Sequence, residues 1–350
     1  MTIKDVAKHA GVSPATVSNV MNGTKYVSPD LIERVNEAIR SLDYQVDYIA
    51  SRMKKHDTHT VGVVMTTFNS VFSTQVITGI QSLFAQNGYR LIFYTSNFNF
   101  DKELQYVRTL ANSKVDGIIL NTTAHESENA EYLNYLADLQ CGGKHIPVVS
   151  VERNLVKFGI HSVHVNNVLG GELAANHLIE CGCRRIALIT GPNFSDLVLD
   201  RITGYKNILS KSGVHFDEEL IVRGDFSALS GYRAANYLLK EGIEFDGVFA
   251  CNDQMAVGAL KALTEGGIAI PDDIKLIGFD NTFVSTLVTP QISTINVPKT
   301  RIGSSAARLL LDLMRDEGQT DDLSLEMPIS TIIRGSTEKV GNLGLELEGW

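Results

Sequence analysis

Two groups of side chains have the types and spacing to do chemistry. The first is a run of small, uncharged residues, Ser13, Ala15, Thr16, Ser18, Asn19 and Asn22, along the outer side of a short predicted helix. A solvated helix face more usually carries Glu and Lys, whereas small polar groups suit close approach to base edges and phosphates. The second group ends predicted strands. Asp280 closes a strand in IGFDNT, where a carboxylate can accept two hydroxyl bonds; Asn252 and Asp253 end another in ACNDQMAVG; Asn121 and Glu152 end two earlier ones. Ligands of open α/β sheets bind at strand carboxyl ends. Each residue also has a purely structural use: a helix cap for Ser13 and Asp253, a turn cap for Asp280.

Signatures of catalysis are missing. No G-x-G-x-x-G follows a strand, and neither a Walker A loop nor a G-x-S-x-G elbow occurs. His125-Glu126 lacks the second His of a zinc-protease helix. Cys181-Gly182-Cys183 is a lone pair of thiols and reads as packing and a turn. The expectation is no enzyme, no cofactor and no metal.

The elements that must hold these groups differ along the chain. Hydrophobic residues make up 44 % and charged residues 20 % of 350 residues, an ordinary globular composition. The four cysteines, Cys141, Cys181, Cys183 and Cys251, form no disulfide framework, which fits a reducing, cytoplasmic compartment. No apolar run approaches the roughly 18 residues of a membrane span, and MTIKDVAKHAGVS lacks the apolar stretch of a signal peptide. The formal charge is −9, unevenly spread: eight basic and seven acidic residues make the first sixty +1, and the rest carries −10. Such a step suggests two parts with different partners.

The first part reads as three short helices. Thr2 can cap the first, with Asp5 in its first turn and Ile3, Val6, Ala7 and Ala10 on one apolar face. Gly11 stops it. Ser13 caps a second helix with Pro14 at its first position and Val17, Val20 and Met21 inside; Asn22-Gly23 ends it. Ser28-Pro29 starts a third, running to about Leu42, with Leu31, Ile32, Val35, Ala38, Ile39 and Leu42 inward. Two short helices about a tight turn with a third behind them make a helix-turn-helix.

The stretch TIKDVAKHAGVSPATVSNVMNG resembles the DNA-binding headpiece of the LacI/GalR family of bacterial transcription regulators, whose pattern T-I-x-D-V-A-x-x-A-G-V-S-x-x-T-V-S-x-x-x-N it matches from Thr2 to Asn22. The resemblance continues to about Arg334. It implies that the helix from Pro14 to Met21 enters the major groove, with Pro14, Ala15 and Asn19 where the family reads bases. Asn can bond adenine bidentately, and Ala can touch a thymine methyl. Thr2, Ser13, Thr16 and Ser18 fall where phosphates are held. Many relatives carry Arg in place of Asn19, so the operator departs from the commonest sites.

The next segment, LDYQVDYIASRMKKHDTHT, is similar to the family's hinge, with Leu42, Tyr44, Ala50 and Lys54 in place. Val46 replaces the usual Pro, Ser51 the usual Arg and Met53 the usual Leu; an Arg follows one place later, as Arg52. A short helix over Tyr48 to about Lys54 is expected, capped by Asp47. By resemblance, Met53 is the apolar wedge that unstacks and kinks the minor groove.

From residue 61 the pattern turns to continuous apolar strands alternating with amphipathic helices. Strands are expected at Val61–Met65, Leu91–Thr95, Val115–Leu120, Pro147–Val151, Arg185–Thr190, Gly247–Cys251, Lys275–Phe279 and Ile329–Ile333. This means parallel sheets covered on both faces. So long a stretch needs two subdomains with a cleft between them. The resemblance names a periplasmic-binding-protein-like core of two doubly wound parallel-sheet subdomains behind the all-α headpiece. The expected division is a headpiece over 1–46, a hinge over 47–60, a core over 61–335 and a tail over 336–350. Within the core, subdomain 1 covers about 61–159 and 293–325 and subdomain 2 about 160–292 and 326–335. The chain then crosses near Gly159, Ser293 and Leu325.

The same resemblance assigns effector contacts. Arg201 matches an Arg aimed at hydroxyls or carboxylates, Phe226 in GDFSALSG an aromatic that stacks on the ligand, and Asn121, Glu152, Asn252 and Asp280 polar pocket positions. Ser73 stands where an aromatic often stacks, since the usual N-P-F-F segment reads Ser70-Val71-Phe72-Ser73. Lys299 replaces an aromatic of some sugar-responsive relatives; facing the cleft, it would favour an anionic effector. The implied function is a repressor: a homodimer reading a pseudo-palindromic double-stranded DNA operator, with affinity set by a small sugar-like effector. Dimer contacts are expected on the helices Phe72–Phe84 and Met255–Leu263, and the tail lacks the leucine heptads of a tetramerising helix. Purine repressor relatives need their ligand to bind DNA, while Lac repressor relatives are released by theirs, so a co-repressor of non-sugar type is the alternative. A transporter's solute-binding protein and a sugar- or nucleoside-modifying enzyme share the core's fold class; the headpiece argues against the first and the missing motifs against the second.

Overall fold

A computed structural model describes residues 1–22, 25–44, 58–192, 196–315 and 324–338, and divides the chain into two compact units, Met1–Thr58 and His59–Trp350. The expected hinge helix with Met53, and nearly all of the tail, lie outside the described residues.

The first unit contains α1 (Ile3–Ala10), α2 (Pro14–Asn22) and α3 (Pro29–Ser41). The Asp5 carboxylate accepts the Thr2 backbone N–H at 2.8 Å and the Thr2 hydroxyl at 2.9 Å, which places an anion at the positive end of α1. Gly11 ends α1 in the left-handed region (φ 64°), and Arg34 of α3 donates to the Ala10 carbonyl at 2.6 Å. Val6, Ala7, Ala10, Val17, Val35 and Ala38 form the core. Ile32, expected inside, is 38 % exposed, and neither it nor Leu31 joins that core, to which α3 and its C-cap contribute Val35, Ala38, Ile39 and Leu42.

The second unit holds two six-stranded sheets. In the first, the order is β13 (Ser324–Met327), β7 (His161–Val165), β6 (Val148–Glu152), β3 (Gly117–Leu120), β1 (Thr60–Met65), β2 (Arg90–Thr95), all parallel. In the second, the order is β14 (Ser330–Ile332), β12 (Ser293–Asn296), β11 (Lys275–Asp280), β10 (Gly247–Ala250), β8 (Ile186–Thr190), β9 (Ile221–Arg223); only the edge strand β14 is antiparallel. A short hairpin, β4 (Gln140–Cys141) and β5 (Lys144–His145), stands apart. The first sheet is covered by α4 (Val71–Gln86), α5 (Phe100–Asn112), α6 (Ala130–Ala137) and α11 (Lys299–Arg315). The second is covered by α7 (Asn167–Glu180), α8 (Asp196–Lys211), α9 (Ala228–Lys240) and α10 (Asp253–Glu265).

The crossings differ from expectation. β7 pairs with β6 in the first sheet while α7 packs on the second, so the chain crosses at Asn166, beyond Gly159. β12 stays in the second sheet and α11 packs on the first, which moves the next crossing past Ser293 to Val297-Pro298. β13 and β14 lie in different sheets, so the last crossing follows Leu325 at Pro328-Ile329. The first two displaced boundaries share a cause: HSVHV and STIN carry His, Ser and Thr at buried positions, so neither reads as an apolar run, yet Ser162, His164, Ser293 and Thr294 are all buried.

Glycine sets the distance between α7 and α8. A Cβ on Gly171 would strike the Arg201 carbonyl, and one on Gly204 the Val168 carbonyl, so the two backbones touch and Arg201 is carried inward. The side chains at the ends of the expected dimer helices, Phe72, Phe84, Met255 and Leu263, are buried within the chain itself. α4 packs on α11 and α10 on α9, so a dimer contact on α4 or α10 would use their other faces. Among the described residues no helix is long and apolar enough to cross a membrane.

Candidate functional site

The strand carboxyl ends of both sheets converge on one cavity. Ser73, Asn121, Glu152, Arg201, Phe226, Asn252 and Asp280 all line it. Asn121 follows β3, Glu152 ends β6, Asn252 follows β10 and Asp280 ends β11. Ser73 lies in the first turn of α4, Arg201 on α8, and Phe226 just before α9.

Four lining residues hold a backbone conformation that only glycine adopts freely: Phe98 (φ 57°), Glu152 (φ 70°), Phe226 (φ 69°) and Asp280 (φ 98°). Such conformations persist where the surrounding structure imposes them, and they cluster at ligand sites. Here they turn four side chains off the ends of strands and loops into one space.

Arg201 is buried and firmly held. Its Nε donates to Asn167 Oδ1 at 2.9 Å, its Nη1 donates to the Cys251 carbonyl, and its Nη2 lies 3.9 Å from Asp280 Oδ1. The guanidinium sits 3.6 Å from the centre of the Phe279 ring. Asn252 caps α10, its Oδ1 accepting the Met255 N–H at 2.8 Å, and its Nδ2 donates to the Phe226 carbonyl at 2.9 Å. It therefore fixes Phe226 as well as lining the wall. Asp253 stands behind the wall. Its carboxylate accepts the N–H and hydroxyl of Thr282 and, at 2.6 Å, the Thr294 hydroxyl, tying the loop after β11 to β12.

Burial raises the carboxyls here, and the Asp280 charge raises its two neighbours further. Burial, followed by the Asp280 charge and opposed by Arg201, pushes Glu152 up to about 8, and Asn121 Nδ2 donates to it. Burial raises Asp280, with Arg201 and Lys299 opposing. Burial and Asp280 together push Asp253 up to about 7. At neutral pH Glu152 is mostly an uncharged acid and Arg201 balances Asp280, so the cavity is close to neutral.

Lys299 does not face this cavity. Its ammonium group is buried beneath the loop after β11, donating to the carbonyls of Asp280, Asn281 (2.9 Å) and Val297 (3.1 Å). Three donors meet three acceptors, so the expectation that it selects an anionic effector is withdrawn.

Other lining residues were not anticipated. Thr66, Thr67, Thr122 and Thr123 directly follow β1 and β3, and the strand-end rule that singles out Asn121 applies equally to them. Phe72 and Phe98 add aromatic surface, and the Phe98 and Phe226 rings are 6.2 Å apart across the opening. Nothing in the local pattern marks Phe98.

In the headpiece, Pro14 and Ala15 are exposed and Thr16, Ser18 and Asn19 are half-buried, while Val17 is fully inside. Ser13 Oγ accepts the Thr16 N–H at 3.1 Å and lies 2.9 Å from the Thr16 hydroxyl. Thr2 is exposed, its hydroxyl on Asp5. The outer side of α2 from Ser13 to Asn19 carries no charge. Away from both places, Cys183 is packed against the Asp246 carbonyl, and Cys181 lies 3.7 Å from His177 Nε2, which is already 2.8 Å from the Thr337 hydroxyl.

Residues 2–47 match the family described as bacterial regulatory proteins, lacI family, and residues 175–337 match a periplasmic binding protein-like domain. The HTH-type transcriptional repressor PurR of Vibrio atlanticus is 34 % identical over 316 residues, 90 % of this chain and 92 % of that protein. The structure of the Lac repressor dimer bound to operator and the anti-inducer ONPF superposes with a TM-score of 0.85 at 27 % identity, over 96 % of this chain and 99 % of that one. A complex of the transcriptional regulator CelR with cellobiose matches with a TM-score of 0.68 at 31 % identity over the same shares.

Proposed function

The chain belongs to the lacI family of bacterial regulatory proteins, DNA-binding transcriptional regulators, and on that premise we propose that it is a cytoplasmic repressor whose operator affinity is set by a small neutral effector in the inter-subdomain cleft. The observation that carries this reading is the convergence of four residues in glycine-like conformations, one from each of four chain segments, on a single near-neutral cavity. A folded chain with no binding task has no reason to keep that strain.

The effector read from the cavity is a ring with several hydrogen-bond donors and an apolar face. Glu152, Asp280 and the threonine hydroxyls supply acceptors, and Phe72, Phe98 and Phe226 supply the apolar wall. Arg201, the cation among the lining residues, already lies 3.9 Å from Asp280, which disfavours an anion. A sugar or sugar derivative meets this description, and the likeness to the cellobiose-bound regulator supports it. A planar heterocycle, the non-sugar class, is the second reading; the three phenylalanines and the similarity to the repressor named PurR favour it.

Two copies act together, each headpiece reading one half-site of a pseudo-palindrome. Effector binding shifts the subdomains, and DNA and effector then alter each other's affinity reciprocally. The test is selection of sites from random duplex DNA by the full chain, with and without cellobiose, D-glucose, D-ribose or adenine. A pseudo-palindrome is expected. Enrichment only in the absence of a probe means induction, and enrichment only in its presence means co-repression. No enrichment under any condition would overturn the repressor reading.

A further inference from the structure

Glu103 lies outside the cavity, in the first turn of α5, with no exposed surface. Four donors surround its carboxyl group. One oxygen takes the Thr122 hydroxyl and the Tyr132 hydroxyl (3.0 Å); the other takes the Thr123 backbone N–H (2.7 Å) and the Thr123 hydroxyl (2.9 Å). Thr122 Oγ1 in turn accepts the Ala124 N–H at 3.0 Å. A hydroxyl oxygen that accepts a backbone N–H on one side has its single proton for the other, and Glu103 is the acceptor there. Both threonines line the cavity.

We propose that Glu103 is a specificity-determining positioning residue: by taking the hydroxyl protons of Thr122 and Thr123, it makes this wall of the cavity an array of acceptors only. The neighbouring Asn121 is no part of this array, because Glu152 takes only one of the two N–H groups of its amide. An effector must then bring O–H or N–H donors to this side, and one that presents a phosphate, carboxylate or carbonyl oxygen meets lone pairs. The inference rests on the reading of the cleft as an effector site and narrows the class of effector.

The Glu103→Gln variant keeps the volume and reverses two bonds, because the oxygen that becomes NH₂ takes both the Thr122 and the Tyr132 hydroxyls. The Thr123 N–H needs an acceptor, so the amide oxygen stays beside it and the new NH₂ faces Thr122. Thr122 Oγ1 then accepts from both Ala124 and Gln, and its own proton turns into the cavity. The prediction is loss of an acceptor and gain of a donor at one known position.

Two measurements on the full chain test this. The first needs no ligand: the infrared difference between wild type and Glu103→Gln at neutral pH. A carboxylate band is expected for Glu103, and a protonated carboxyl band would overturn the proposal. The second is calorimetric titration with D-glucose, D-ribose, cellobiose and adenine, and with inorganic phosphate as the anion. For any neutral probe that binds, Glu103→Gln weakens binding about tenfold, and so does Thr122→Val, while Thr122→Ser binds as wild type. The double variant Glu103→Gln/Thr122→Val is no weaker than Thr122→Val alone, because the first acts through the second. Additive losses, or an unchanged Glu103→Gln, overturn the proposal. Phosphate binding more tightly than every neutral probe would overturn the neutral-effector reading instead, whatever the infrared result.

Discussion

His125 Nδ1 lies 2.8 Å from Asp196 Oδ1, and this contact joins the half of the core built on the first sheet to α8 on the second. The same carboxylate pairs with Arg153 and accepts the Glu126 N–H at 3.3 Å. On the other side of the cleft the Val71 N–H meets Gln254 Oε1 at 3.3 Å. One side chain of the second subdomain thus holds three groups of the first.

The Asp196→Asn variant weakens this arrangement without touching the cavity's polar wall. Arg153, itself buried, keeps only the Ala124 carbonyl and Glu126, 3.5 Å away. A ligand that binds the arrangement described here loses affinity in proportion to its reduced population. The expected loss is about three- to tenfold by titration, with faster backbone hydrogen exchange at Glu126. Unchanged exchange at Glu126 would show that Asp196 is not a latch.

Glu152 makes stability depend on pH. Its folded-state value, about 8, lies above the ordinary glutamate range, so the folded chain holds a proton that the unfolded chain has released. Its contribution is therefore full below that range and is lost as pH rises to about 8. Removing the titration with Glu152→Gln flattens this decline. Between about pH 5 and pH 8 the melting temperature of the wild type should fall a few degrees further than that of the variant. Asp253 and Asp280 are raised in the same direction, so some decline survives in the variant. Parallel melting curves across the range would mean that Glu152 is already ionised.

Lys299→Met tests the reassignment of that lysine. It leaves the carbonyls of Asp280, Asn281 and Val297 buried without their donor, a change worth about 3 kcal/mol of stability. A drop in melting temperature is expected, with the preference for neutral over anionic probes unchanged. A variant that melts like wild type but has lost phosphate binding would return Lys299 to the cleft.

How far the sequence reaches depends on whether a feature is local. The αL glycine, the caps and the continuous apolar strands are local, and most of the strands lie within a residue or two of where their runs place them. β7 and β12 escape because buried Ser, Thr and His look like loop residues until their hydrogen-bond partners are known: Ser293 bonds to Arg334 and Thr337, Ser162 to Leu155 and Ile160. In the cleft, the strand-end rule together with the family resemblance singles out seven lining residues. Lys299 and Glu103 escape both, since each acts from behind the wall on a backbone or hydroxyl that only folding brings to it.

The headpiece separates two kinds of contact on one helix. Asn19 is the residue expected to read a base, so Asn19→Ala should lower affinity for the selected operator by about 1–3 kcal/mol and relax the preference at one base pair. Binding to unrelated DNA should stay as it was, because phosphates supply that affinity. Ser13→Ala should behave differently. It removes the acceptor for the Thr16 N–H, so the headpiece loses about 1 kcal/mol of stability, and it removes an expected phosphate contact. Operator and unrelated DNA should then weaken together, with base preferences intact. Both residues are uncharged, so neither variant should change the slope of affinity against salt. If Asn19→Ala weakens all duplexes equally, this helix does not read bases through Asn19, and the choice of operator falls to Pro14, Ala15 or the hinge.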